Sequence, residues 1–139
     1  MMFFIGFPLL LIPFTLYNIV AFLMPGVSFT EPVLTVPMLS GAEWKISIGD
    51  LLLMLAVLLL YLEILKATRL GMRAIMEHML SLLLFIAMAG EFIIVPRVAT
   101  SIFFILVLLS FVDVIAGFSV TIRTAQRDLS VEGVEKLPS

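Results

Sequence analysis

The sequence predicts an all-α integral membrane protein: a four-transmembrane-helix bundle with one small extracytoplasmic loop between its first two helices. Three observations predict it. The 139-residue chain is 63% hydrophobic and only 13% charged, whereas an ordinary soluble domain carries about 25% charged residues. Small domains have too little interior to bury that apolar excess, so lipid must cover the remainder. Long uncharged stretches also alternate with short charged ones. Residues 51–62 hold no charge, and Glu63, Lys66, Arg69 and Arg73 follow them. An apolar run of about 20 residues closed by bases reads as a membrane-crossing helix with its inner-leaflet anchor.

The first helix is expected over residues 2–24, which are uncharged. A secretory signal would show a basic start, a shorter apolar core and small residues at a cleavage point. None is present, so this reads as a retained helix. Pro8 and Pro13 remove backbone donors and should bend its first half. Tyr17 and Asn18 are its polar features, and Pro25-Gly26 stops it.

Residues 25–47 form the only sizeable loop and hold Pro25, Pro32 and Pro37. Val33–Val36 and Glu43–Ser47 alternate around Ser40-Gly41, the pattern of a short β-hairpin. Pro37 weakens the first of these strands or places it on an edge. A plain loop lying on the membrane is the competing reading. Trp44 fits the interfacial aromatic belt in either case.

The second helix is expected over 48–67, with Ser47 or Asp50 capping its first turn. The third is expected over 71–95 and ends at Pro96, since the residue before proline avoids helical geometry. The fourth is expected over 100–123, continuing as an exposed end to Asp128. Together these make one transmembrane domain, 1–128, followed by a short mobile cytoplasmic tail over 129–139.

Lys66, Arg69, Arg73, Arg123 and Arg127 gather on one side of this arrangement, against Lys45 and Arg97 on the other. The positive-inside rule then puts both termini in the cytoplasm and the 25–47 loop outside. A net charge of −2 offers no basic field for nucleic acid. The chain has no cysteine and one histidine, His78. Disulfides, thiolate chemistry, zinc–thiolate sites and a multi-histidine metal centre are therefore excluded within one chain. No Gly-rich phosphate loop, CxxCH haem motif or legible serine–histidine pair occurs. No enzyme activity, cofactor or resident metal is expected.

Ionisable groups inside a span cost about 2.5–3.5 kcal/mol each on insertion scales, so each calls for a reason. Asp113 is the deepest. Ser110, Asp113, Gly117, Thr121 and Thr124 recur at spacings of three and four and form a small polar face that suits packing against another helix. Lys66 follows Glu63 at i+3, the spacing of an ion pair on one helix surface, with the lysine reaching toward headgroups. Glu77, Ser81, Met88 and Glu91 share one arc of the third helix. Glu91 should lie at the depth of Asn18 and Arg97, either of which could pair with it. His78 beside Glu77 reads as a solvated pair near the inner interface. Glu63, His78 and Asp113 share the inner half of the bundle, a cation-ligand set only if they face one another. The candidate polar or ion-pathway residues are thus Asp113, Glu63, Glu91, His78, Lys66, Arg97 and Asn18.

The stretches Gly49-Asp-Leu-Leu-Leu, Leu62-Glu-Ile-Leu-Lys-Ala-Thr-Arg69 and Phe111-Val-Asp-Val-Ile-Ala-Gly-Phe-Ser119 resemble parts of small four-helix inner-membrane proteins of proteobacteria. The likeness covers most of residues 48–128. It implies a bacterial inner-membrane location and no particular activity. Small multidrug transporters are four-helix chains of similar size, but they carry an essential glutamate in the first helix, where this chain has no ionisable residue.

Two functions fit. The leading one is a non-enzymatic accessory or scaffold subunit, acting through helix contacts with other membrane proteins or with itself. The alternative is a proton- or cation-coupled transporter or channel, working as an oligomer with Asp113 as carrier and Glu63 or Glu91 as relays.

Overall fold

The computed structural model describes residues 7–68 and 72–135. Helix α1 covers Leu11–Asn18 and continues as a π-helical turn over Ile19–Leu23. A hairpin of β1 (Pro32–Pro37) and β2 (Glu43–Ser47) follows. Then come α2 (Ile48–Lys66), α3 (Met72–Ile94), a 3₁₀ turn over Pro96–Val98 and α4 (Ser101–Glu135). Among the described residues, three helices are long and apolar enough to cross a membrane: Ile48–Lys66, Ala74–Ile94 and Ser101–Arg127.

The first helix departs from the expectation of 2–24. Residues 2–6 lie outside the described residues, and helical geometry begins only at Leu11. Leu11 and Ile12 donate to the carbonyls of Pro8 and Leu9 in tight turns that precede the first α-helical bond, from Phe14 to Leu10. Pro13 falls in the first turn, where its missing N–H would have had no intrahelical partner. The result is about 20 Å of helix at 1.5 Å per residue, short of a hydrocarbon core of about 30 Å.

Beyond α1, the chain turns at Met24–Val27, with Pro25 in the corner and the Val27 N–H on the Met24 carbonyl. The hairpin expected from the alternation is present. Leu34 pairs with Ile46, Thr35 with Lys45, Val36 with Trp44 and Pro37 with Glu43. Pro37 is the last residue of β1, where a lost donor is tolerated. Gly41 takes φ +89° in the connection, a conformation that favours glycine.

Strand β2 runs into α2 without a linker. Ser47 caps the helix: its Oγ accepts the Asp50 N–H at 3.2 Å, while Asp50 Oδ2 accepts the Ser47 N–H at 3.0 Å. This reciprocal box satisfies two backbone donors at once. Gly49 donates its N–H to the Phe29 carbonyl at 3.0 Å. A Cβ at position 49 would meet that oxygen and the Ile102 side chain, so this close approach of the loop to α2 requires glycine here.

Inward positions recur at three and four along each long helix, the spacing of one helix face. On α2 they are Gly49, Leu52, Ala56, Leu60 and Glu63; on α3, Ala74, Glu77, Ser81, Leu84 and Met88. On α4 they are Phe103, Leu106, Val107, Ser110, Asp113, Val114 and Gly117. Helix α4 packs against both α2 and α3, and α1 lies on α2 and touches α4. One apolar core joins the helices: Tyr17, Leu52, Ala56, Met88, Phe103 and Leu106 meet in it, and it extends to Leu10 and Leu60 beside the Glu63 end.

The end of α4 also differs from the expectation. It is helical to Glu135, so residues 129–135 continue the helix rather than forming an irregular tail. No proline falls between Pro96 and Pro138, and Gly133 in this last stretch is a tolerable cost of about 1 kcal/mol.

Candidate functional site

The inward stripes are apolar toward the hairpin and polar toward the opposite end. Helix α2 runs away from the hairpin, α3 returns and α4 runs away again. Measured from the helix ends nearest the hairpin, Glu63, Ser81 and Asp113 lie about 18–22 Å along their helices at 1.5 Å per residue. Glu63, Glu77, Ser81, Ser110 and Asp113 are all buried. A three-four repeat of inward positions thus delivers polar side chains from three helices to one layer.

Glu63 is the best-held member. Its Oε1 accepts the Leu9 N–H at 2.6 Å and the Lys66 ammonium at 3.0 Å. Lys66 also donates to the Phe7 carbonyl at 3.1 Å. The pair therefore grips residues 7–9 by a donor and an acceptor together. It places a carboxylate at the start of α1, where the helix dipole and the unpaired N–H groups favour negative charge. The i+3 pairing is as expected, but Lys66 turns back onto the chain rather than out toward headgroups.

Asp113 is 4% exposed, with the Ser81 hydroxyl as its hydrogen-bond partner and Glu63 and Lys66 as the charges acting on it. On the same helix, one turn earlier, Ser110 is 1% exposed and its Oγ has no hydrogen-bond partner among the described residues. The small polar face of α4 packs inward through Ser110, Asp113 and Gly117. Thr124, its expected last member, has a side chain outside the described set.

His78 and Glu77 do not form a solvated pair. Glu77 is buried, and His78 turns to α4, with Nε2 2.5 Å from Thr121 Oγ1. Thr121 in turn donates its hydroxyl to the Ala67 carbonyl at 3.0 Å, at the C-terminal end of α2. A hydroxyl has one proton, and the carbonyl takes it, so Nε2 must be the donor to Thr121. This fixes the tautomer, with the proton on Nε2. The chain His78–Thr121–Ala67 ties α3, α4 and α2 together. Gly117 leaves room for the ring, since a Cβ there would stand 3.1 Å from it. Among the described residues no three His, Asp or Glu side chains come together to hold a metal ion, so Glu63, His78 and Asp113 do not form a ligand set.

The other candidates lie nearer the hairpin, away from this layer. Asn18 Nδ2 bonds the Phe14 carbonyl at 3.0 Å and reaches Glu91 Oε2 at 3.5 Å. Asn18, rather than Arg97, is thus the partner of Glu91. Arg97 bonds the Ala21 carbonyl at 3.3 Å and covers the Phe22 ring at 5.8 Å.

Sequence reasoning missed the Leu9 amide, the Phe7 carbonyl and the Ala67 carbonyl. Backbone groups carry no residue signature. The only cue was Pro8 and Pro13, which leave the neighbouring backbone in need of partners. No family model matches this chain, and no curated protein or solved structure does either.

Proposed function

We propose that this chain is a small multi-pass protein of a bacterial inner membrane, non-enzymatic, and an accessory or scaffold subunit that acts through helix contacts. The observation that carries the reading is the Glu63–Lys66 grip on residues 7–9. Glu63, an acid that an ion pathway would need as a relay, is engaged instead as a staple between α2 and the start of α1. His78, Thr121 and Ala67 are engaged in the same way. Meanwhile the outward faces of α2 and α3 are apolar throughout their middle turns and free to meet lipid or another helix. Purification in native nanodiscs, with mass analysis of the intact assembly, tests the reading. A hetero-complex of defined stoichiometry is expected; recovery of this chain alone would count against it.

In the proposed orientation both termini face the cytoplasm, because the bases that follow α2 and line the last turns of α4 outnumber those at the hairpin end. A periplasm-dependent reporter fused at the C-terminus should be inactive, and one fused within the Met38–Ala42 turn should be active. The reverse pattern would invert the topology.

A second reading, a proton- or cation-coupled carrier working as an oligomer, is favoured by the buried Asp113–Ser81 pair with the unpartnered Ser110 hydroxyl one turn away. It expects Asp113→Asn to abolish a proton-dependent flux while leaving assembly intact. Loss of assembly without any flux to lose favours the scaffold.

A further inference from the structure

The hairpin is amphipathic, and most of its apolar face is uncovered. Residues directly paired across an antiparallel ladder share a face, and faces alternate along each strand. Leu34, Ile46, Val36 and Trp44 therefore lie on one side, and Thr35, Lys45, Pro37 and Glu43 on the other. Only Ile46 of the apolar four is buried, at 6% exposure; Leu34, Val36 and Trp44 are 52%, 38% and 45% exposed. The connection adds exposed Met38 and Leu39. A two-stranded sheet is marginal in water unless its apolar face is covered.

The buried end of that face gives its direction. Ile46 packs into the protein immediately before Ser47 caps α2, so the apolar side turns toward the bundle. The continuation of the same face, through Trp44 and Val36 to the tip, is exposed, with none of the described residues covering it. Because β2 enters α2 directly, the hairpin is held at the level where α2 begins.

We infer that this overhanging face is seated in the headgroup–acyl boundary of the bilayer, with Trp44 as its anchor and Lys45 and Glu43 turned to water. The inference rests on the membrane reading proposed above. Tryptophan favours that boundary because its ring is apolar and its N–H polar. Charge narrows the type of surface. Glu31, Glu43 and Asp50 around the hairpin outnumber Lys45, so attraction to anionic lipid cannot drive the seating. Apolar burial drives it, and added salt should leave it in place.

Trp44 is the chain's only tryptophan, so its emission reports the site directly. In vesicles of zwitterionic phospholipid, its fluorescence should be blue-shifted and largely lost when the lipid is brominated near the headgroup. Aqueous iodide should leave it unquenched, at low salt and high salt alike. Val36→Lys, which charges the position paired with Trp44, should shift the emission to the red and admit iodide. Quenching of the unsubstituted protein by iodide but not by bromolipid would overturn the inference. So would shielding from both, which would mean that protein covers the face. A second reporter separates this from failure of the membrane reading. Leu58 is 66% exposed in mid-α2. Leu58→Trp in a Trp44→Phe background should be quenched by lipid brominated deep in its chains. If that reporter is quenched and Trp44 is not, only the hairpin inference falls; if neither is, both fall.

Discussion

Glu63→Ala is expected to destabilise the protein by about 3–5 kcal/mol, the range for removing one partner of a buried ion pair. The carboxylate is 6% exposed and the lysine side chain 12%. Alanine would leave Lys66 largely enclosed beside a backbone carbonyl, its ion-pair partner gone and only the Asp113 carboxyl left to act on its charge. It would also strip the Leu9 N–H of its acceptor, an orphaned donor worth about 1–3 kcal/mol by itself. These losses overlap, because Lys66 and Leu9 share one carboxylate oxygen. Glu63→Gln separates them: its amide oxygen can still accept from Leu9, so it should cost less than alanine. The double variant Glu63→Ala/Lys66→Ala should be less destabilised than the sum of the single changes, since neither charge is then left alone. Denaturant unfolding in detergent micelles measures the unsubstituted protein and the four variants, Lys66→Ala included. Equal stability of Glu63→Ala and the unsubstituted protein would show that the staple contributes nothing. Hydrogen exchange at residues 9–14 adds a local check, because release of this end should expose the first turn of α1 before the rest of the bundle.

This grip also marks the boundary of what the sequence disclosed. The i+3 spacing of Glu63 and Lys66 foretold their pairing, and the three-four repeat from Ser110 to Thr121 foretold the inward face of α4. Both follow from helix geometry, which depends on spacing alone. The hairpin was legible because alternation around Ser40-Gly41 has a period of two and Gly41 can take a positive φ. The start of α1 was not legible. Pro8 and Pro13 announce a perturbation, but whether the chain kinks or begins anew depends on Glu63, 54 residues away, accepting the Leu9 N–H. His78 was misjudged for the same reason, since its partner Thr121 lies 43 residues along the chain. Adjacency to Glu77 suggested a surface pair, but the fold buries Glu77 and turns His78 to Thr121. Asn18 and Glu91 came closer to the expectation: two polar groups at equal depth in apolar surroundings have few other partners.

The second large effect is expected at Tyr17, where α1, the loop and α4 converge. Its side chain is fully buried. The ring stacks on Phe29 at 4.3 Å between centroids and meets Phe103 edge-on at 5.0 Å. Its hydroxyl and that of Thr100 are 2.6 Å apart. Thr100 Oγ1 also accepts the Phe103 N–H at 3.2 Å, capping the first turn of α4. Tyr17→Phe removes only the hydroxyl contact and should cost about 1 kcal/mol, because Thr100 keeps its bond to Phe103. Tyr17→Ala should cost about 3–5 kcal/mol, the range for truncating a buried aromatic. The loss includes two ring contacts worth about 0.5–1.5 kcal/mol each beyond their burial. On the membrane reading proposed above, the penalty arises mainly from lost packing rather than from exposure to water, because lipid is as apolar as the core. The consequence should not stay local. Phe29 holds the loop against α2 through its carbonyl at the Gly49 N–H, so losing the ring beneath it should loosen the hairpin's attachment as well. Unfolding in detergent supplies the free energies, and Trp44 emission reports the hairpin in the same samples. A Tyr17→Ala protein that loses stability with Trp44 unchanged would mean the hairpin is held by the Ser47–Asp50 box and by what lies beneath its apolar face. A parallel change would make the Tyr17–Phe29 stack the link through which the bundle positions the hairpin.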